Sequence, residues 1–321
     1  MEYLEKLPIE KGFAEVFYDR IEPELNMLET QRQNMRKEGQ RNFWIIMGIG
    51  IAISVAAFFL LQGHEWQFMI MFAGIGGGFF VAMIGKGRAT GGWSSTINDV
   101  IMPPVCDFVG DMHYDRHAGK GFGLSRFTSL KLVANYDDAS LEDRIEGTYN
   151  GVDYAMVEAT LTKESTDSDG DRSDSTVFRG LLFRISLLND APCPILITKD
   201  YGKLGNRFAG MFSGGKGRGM PRVETGHPEF ERFFELHADH GEAALEYLPD
   251  AFLDNLMDLG STDIRCAFDG RDFLMAMGRK QDFLKMPGIN QPMSELTGEI
   301  NKVFVDLAMI RRVIDRLTNS A

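Results

Sequence analysis

With 321 residues, 44% of them hydrophobic, and a formal charge of -12, the chain has room for a helical anchor plus one domain with its own core. The acidic balance argues against nucleic acid as a partner, because a phosphate backbone rewards a basic face. Its three cysteines, Cys106, Cys193 and Cys266, stand far apart without a C-x-x-C pair, and read as small buried hydrophobes in a reducing compartment.

Residues 10 to 42 place Phe13, Phe17, Ile21, Leu25 and Leu28 near helical spacing, which predicts an amphipathic helix interrupted or kinked at Pro23. The late start of the first apolar run, behind this charged segment, does not have the form of a secretory signal. From Phe43 to Leu61 no residue is charged, and as a helix this run covers about 30 Å of hydrocarbon. After the polar turn Gln62-Gly63-His64-Glu65 comes a second uncharged run, to Gly85. Together, 43–61 and 67–85 predict a transmembrane hairpin. Arg32, Arg36, Lys37 and Arg41 precede the first run, and Lys86 and Arg88 follow the second. The positive-inside rule therefore puts both flanks, and both termini, in the cytoplasm. Trp44 and Trp66 fall near span ends, where an interfacial aromatic belt is expected. Gly74 and Gly78, four apart, would allow close helix approach, either to another copy or to the first span.

Beyond the spans, Ile97 to Gly110 has an apolar rhythm broken by Pro103-Pro104. His113 and His117 are four apart and would share a helix face, but the glycines at 119, 121 and 123 favour a loop, so no metal and no cofactor is expected. Period-two alternation then marks strands at 143–148, 153–163, 176–188 and 194–199, with Asn150-Gly151 as a hairpin turn, and predicts an antiparallel sheet. Residues 165–175 read as a long acidic hairpin loop that departs from the calcium-loop pattern.

Between Lys199 and Arg222 the acidic chain turns basic. Lys203, Arg207, Lys216, Arg218 and Arg222 interleave with Phe208 and Phe212 among glycines. The spacing approaches a phosphate-binding loop, but Gly217 stands where Ser or Thr is needed. Contact of this loop with anionic headgroups or a partner, at about 1 kcal/mol per cation, stands beside a plain disordered linker as the reading of this stretch. Further along, Glu229 to Ala238 reads as a strand, Glu242 to Leu259 as one or two helices, and 264–268 with 272–277 as a hairpin around Gly270. Mixed in this order, the elements predict an α+β domain over 86–292. The final segment, 293–321, is a helix with Leu296, Ile300, Val303, Leu307, Ile310 and Ile314 in a heptad seam. That seam would pair two copies as a coiled coil, or lie on the N-terminal helix of the same chain.

The helix Phe13 to Arg32 leading into two spans, the Leu141-Glu-Asp-Arg-Ile-Glu-Gly segment, Phe178-Arg-Gly-Leu-Leu-Phe183 and Phe230-Glu-Arg-Phe-Phe-Glu-Leu together resemble the bacterial membrane-protein family called Domain of Unknown Function 3137. The resemblance implies architecture and a bacterial inner membrane, but no reaction and no catalytic residues. The glycine-rich insert after Lys199 is longer than the family pattern.

The resulting expectation is a multi-pass inner-membrane protein that presents a β-rich cytoplasmic domain to a protein partner or to lipid headgroups. Its partners would be the bilayer, a protein and a second copy of itself. The alternative is a membrane-associated enzyme or small-ligand sensor, with Glu142, Asp143 and Glu158 as acids and Arg179 as anion holder.

Overall fold

Among the described residues nine strands form: β1 (Met112–Asp115), β2 (Asp138–Tyr149), β3 (Val152–Thr166), β4 (Arg172–Ser186), β5 (Ile195–Lys199), β6 (Arg222–Val223), β7 (Phe234–Ala238), β8 (Ile264–Asp269) and β9 (Asp272–Gly278). They make one antiparallel sheet in the order β1-β2-β3-β4-β9-β8-β5-β7-β6. The structure is a computed structural model and describes residues 1–61, 63, 65–90, 92–118, 121–166, 172–199, 219–248, 250–257, 263–280, 283–284, 286 and 288–318.

The helices are α1 (Phe13–Val16), α2 (Glu22–Leu60), α3 (Gln67–Thr90), α4 (Trp93–Val109), α5 (Leu124–Ser129), α6 (Pro228–Glu231), α7 (Gly241–Tyr247), α8 (Asp250–Met257) and α9 (Leu296–Thr318). The chain is thus a mixed α+β protein, with a large antiparallel sheet and long apolar helices near the N-terminus. Two compact units divide it. One comprises Met1–Phe108 and Lys285–Val303, the other Val109–Leu284 and Phe304–Ala321.

In the first unit the predicted amphipathic face is buried at Phe13, Phe17, Ile21, Leu25 and Leu28. The regular α-helix is interrupted just ahead of Pro23. Pro23 stands in the first turn of α2, where a missing N–H costs nothing, directly after a π-helical turn at Phe17–Ile21. Pro103 and Pro104 fail to break α4, which runs through both; burial of Ile97, Ile101, Met102 and Val105 outweighs the lost hydrogen bonds. The N-terminal segment closes on the start of α9. The Asn301 amide donates to Glu10 Oε2 at 2.9 Å and to the Leu4 carbonyl at 3.1 Å. The Arg32 guanidinium donates to the Ile289 carbonyl at 2.9 Å and is held by Glu29.

The sheet of the second unit is covered on both faces. Cross-strand register lines up Met156, Phe183, Met275, Cys266 and Ile197 on one face, with all five buried. Phe252 of α8 packs edge-on against Phe268 and Phe273 of the β8–β9 hairpin. The Arg279–Asp306 ion pair, at 3.0 Å, fastens α9 to the end of β9. On the opposite face Val157, Leu182, Leu274 and Leu196 form a core with Phe122, Phe127, Leu130 and Leu132 from the segment around α5.

The sequence expectation differs in two further places. Residues 228–231 are helical, because His227 Nδ1 accepts the Phe230 N–H as an N-cap and Pro228 opens the helix, so the strand starts only at Phe234. Strands β3 and β4 run on to Thr166 and from Arg172, joined through Ser165 and Ser173, so most of the supposed acidic loop is strand. All three cysteines are free and buried. Burial, with the neighbouring Asp107 charge, pushes the Cys106 thiol up to about 12.

Candidate functional site

The surface with most to explain is the apolar one on α2 and α3. Both helices are long and apolar enough to cross a membrane, and only 6% of each apolar window is buried. A core helix of a soluble protein would hide that face. Here Trp44, Ile53, Phe59, Phe72 and Phe80 are all exposed. Such a contiguous patch far exceeds what soluble proteins leave to water.

Where α2 and α3 do touch, small residues set the contact. A Cβ added to Gly74 would lie 2.4 Å from Ser54 Oγ, and one added to Gly50 would lie 3.0 Å from Gly78 Cα. Ser54 is buried and its hydroxyl donates back to the Gly50 carbonyl at 2.8 Å, which spends its polar group inside its own helix. Phe43 meets Phe79 and Phe58 meets Phe68, closing the contact at either end. Gly74 and Gly78 are therefore placed against Gly50 and Ser54 of the same chain. Sequence reasoning did not single out these two partners, although Gly50-x-x-x-Ser54 repeats the same spacing.

Gly74→Leu should accordingly force the helices apart and lower the thermal midpoint of the protein in lipid nanodiscs, at an overpacking cost of about 1–3 kcal/mol. Gly76 is the control, because a Cβ there meets nothing within 4 Å. Equal midpoints for Gly74→Leu and Gly76→Leu would refute the contact.

The other predicted residues are dispersed. Lys203, Arg207, Phe208, Phe212, Lys216 and Arg218 lie outside the described residues. Arg222 is described, on β6, where its guanidinium sits 3.6 Å from the buried Glu235 carboxylate and so faces the sheet edge. The seam residues Leu296, Ile300, Val303, Leu307, Ile310 and Ile314 are all buried within the single chain; that burial withholds the seam from a second copy, against the two-copy coiled-coil reading. His113 lies on β1 opposite Glu146, and His117 lies beyond the strand end, so the helical spacing that would join their imidazoles is absent.

Of the three acids, Asp143 alone is set apart. Glu142 and Glu158 are directly opposed across the β2–β3 ladder, and Glu158 Oε2 accepts the Phe283 N–H at 2.9 Å. A bulge between Glu142 and Ile145 removes Asp143 from that pair: its φ is 52°, and its buried carboxylate accepts the Tyr114 hydroxyl of the neighbouring edge strand. Arg179 sits on β4 opposite Thr160. Glu142, Glu158 and Arg179 thus share one face of three neighbouring strands, and Asp143 stands apart from them. Among the described residues, no group of three or more His, Cys, Asp or Glu side chains is placed to hold a metal ion.

The family described as protein of unknown function (DUF3137) matches residues 176–319. The match runs from within β4 through α9 and includes the Phe178 and Phe230 motifs, while the Phe13 and Leu141 motifs lie upstream of it. No curated protein and no solved structure matches the chain.

Proposed function

We propose, from the premise that residues 176–319 form a segment of the DUF3137 family, that the protein is anchored in a bacterial inner membrane and works as a binding or scaffold protein. In this reading α2 and α3 cross the bilayer as a hairpin, both termini are cytoplasmic, and the sheet unit meets a protein partner or anionic headgroups. The supporting observation is the exposed apolar face of the two helices. In water each large side chain on it forgoes about 1.5–3 kcal/mol of burial, which hydrocarbon would supply. Arg36, Lys37 and Arg41 before the first run, and Lys86 and Arg88 after the second, support the orientation. The exposure of Trp44 and Trp66 near the span ends supports the spans themselves.

Reporter fusions test the reading. Alkaline phosphatase, active only outside the cytoplasm, should be inactive when fused after Ala321 and active when inserted at Gly63. Activity at Ala321, or release of the protein from membranes by alkaline carbonate, would overturn it.

A further inference from the structure

The sheet unit contains a cavity that the membrane reading does not use. It has a volume of about 240 Å³ and lies where the ends of β4, α7 and α9 converge. Its inner wall is apolar and buried, formed by Val152, Ile185, Leu248, Phe252 and Phe268. The rings are set edge to face, with Tyr247 and Phe268 at 5.7 Å and 81°, and Phe252 and Phe268 at 5.4 Å and 69°. The volume exceeds the ~150 Å³ that accepts benzene and falls just below the ~300 Å³ at which drug-sized pockets begin. One or two rings fit.

Polarity is confined to a few groups and has one sign. Among the described residues, Glu246 is the only charged side chain in the lining. Two arginines stand beside the lining without belonging to it: Arg271, whose guanidinium reaches Asp190 at 3.8 Å and donates to the Leu188 carbonyl at 3.3 Å, and Arg316 in the last turn of α9. Leu317 and Thr318 bring the C-terminal end of α9 to the cavity, and the helix dipole puts partial negative charge there. Tyr247 donates its hydroxyl to the Asn189 carbonyl at 3.3 Å. Burial, and then the Asp190 charge, raises its phenol above the ordinary range, so it is neutral. An aromatic wall beneath a carboxylate and a helix C-terminus attracts an organic cation and disfavours an anion.

We infer that this cavity binds a small aromatic amine, with the ring against Phe252, Phe268 and Tyr247 and the ammonium group at Glu246. The site lies wholly in the sheet unit and does not depend on the membrane reading.

Ligand-observed NMR titration of the full chain in nanodiscs tests it, with empty nanodiscs subtracted and with 2-phenylethylammonium, 2-phenylethanol and 3-phenylpropionate as probes. The ammonium probe should saturate and the carboxylate probe should not. Glu246 is exposed, so Glu246→Gln should fold normally. It should weaken the ammonium about fivefold, the effect of one exposed charge pair, and leave the alcohol unchanged. Ser186→Phe should fill the cavity and remove binding of all three probes. The inference falls if the ammonium does not saturate, if the carboxylate binds equally well, if Glu246→Gln leaves the ammonium affinity unchanged, or if binding survives in a folded Ser186→Phe protein.

Discussion

Gly180→Ala is expected to abolish folding of the sheet unit. Gly180 lies on β4, between β3 and β9 and so in the interior of the sheet. Its Cα is paired with Gly278, and just beyond it the Arg279 N–H donates to the Arg179 carbonyl at 2.9 Å. At φ 156° a Cβ would fall 2.0 Å from the Met277 carbonyl oxygen and 2.8 Å from the Arg279 nitrogen. Both are backbone atoms of the adjoining strand and its continuation, so no side chain can swing aside. Relief requires separating β4 from β9, and a cost above about 4 kcal/mol follows, a large part of the 5–15 kcal/mol that holds a typical protein folded. Gly298→Ala on α9 is the matched control. Its Cβ would meet nothing within 4 Å, and a helical alanine should stabilise by up to about 1 kcal/mol. Soluble yield and thermal midpoint decide; a Gly180→Ala protein that melts with the wild type would show that the two strands do not approach as described.

The second large effect is expected at Asn301. Glu10 is fully buried, and its Oε2 accepts from the Asn301 amide at 2.9 Å, the Lys6 N–H at 2.8 Å and the Tyr3 hydroxyl at 3.3 Å. Burial first, and then Glu10 itself, pushes the Tyr3 phenol far above its ordinary range, so that hydroxyl remains a donor at any working pH. Asn301→Leu keeps the volume but withdraws a donor from an enclosed carboxylate, and should cost about 2–4 kcal/mol. Removing the acid as well, in Glu10→Leu with Asn301→Leu, should restore much of the loss, because neither partner is then left wanting the other. A double-mutant cycle on thermal midpoints measures this. Simple additivity of the two single substitutions would reject the coupling.

These two positions show what could be read ahead of the coordinates and what could not. Turn signals were reliable where the turn residues themselves set the backbone. Asn150 and Gly151, with φ of 51° and 75°, form the predicted turn between β2 and β3, and the alternation around Gly270 gave the β8–β9 hairpin. Insertion of β9 and β8 between β4 and β5 was illegible, because nothing in a strand's own alternation names its non-local neighbour. At Glu229 the apolar spacing suggested a strand, and the capping of Phe230 by His227 decided otherwise. The apolar windows of α2 and α3 were plain from composition, but whether Gly74 met another copy or its own neighbour turned on Gly50 and Ser54, whose small size carries no label. The cavity left no trace in the sequence. Val152, Ile185, Phe252, Phe268 and Leu317 come from five separate elements, and each fits the ordinary rhythm of a packed core.

The closure of the N-terminal segment by α9 also orders events during synthesis. Glu10 and Asn301 are 291 positions apart, so at about 5–20 residues per second the ribosome delivers the amide roughly 15 to 60 s after the carboxylate. In the later part of that interval the two apolar helices have left the ribosome, while the acid that the completed unit encloses still has no amide to receive. A nascent chain released early keeps its apolar helices but lacks the residue that shuts its first unit, and it would present an open, hydrated N-terminus to proteases. Arrival of α9 is thus the step that distinguishes a finished molecule from an interrupted one.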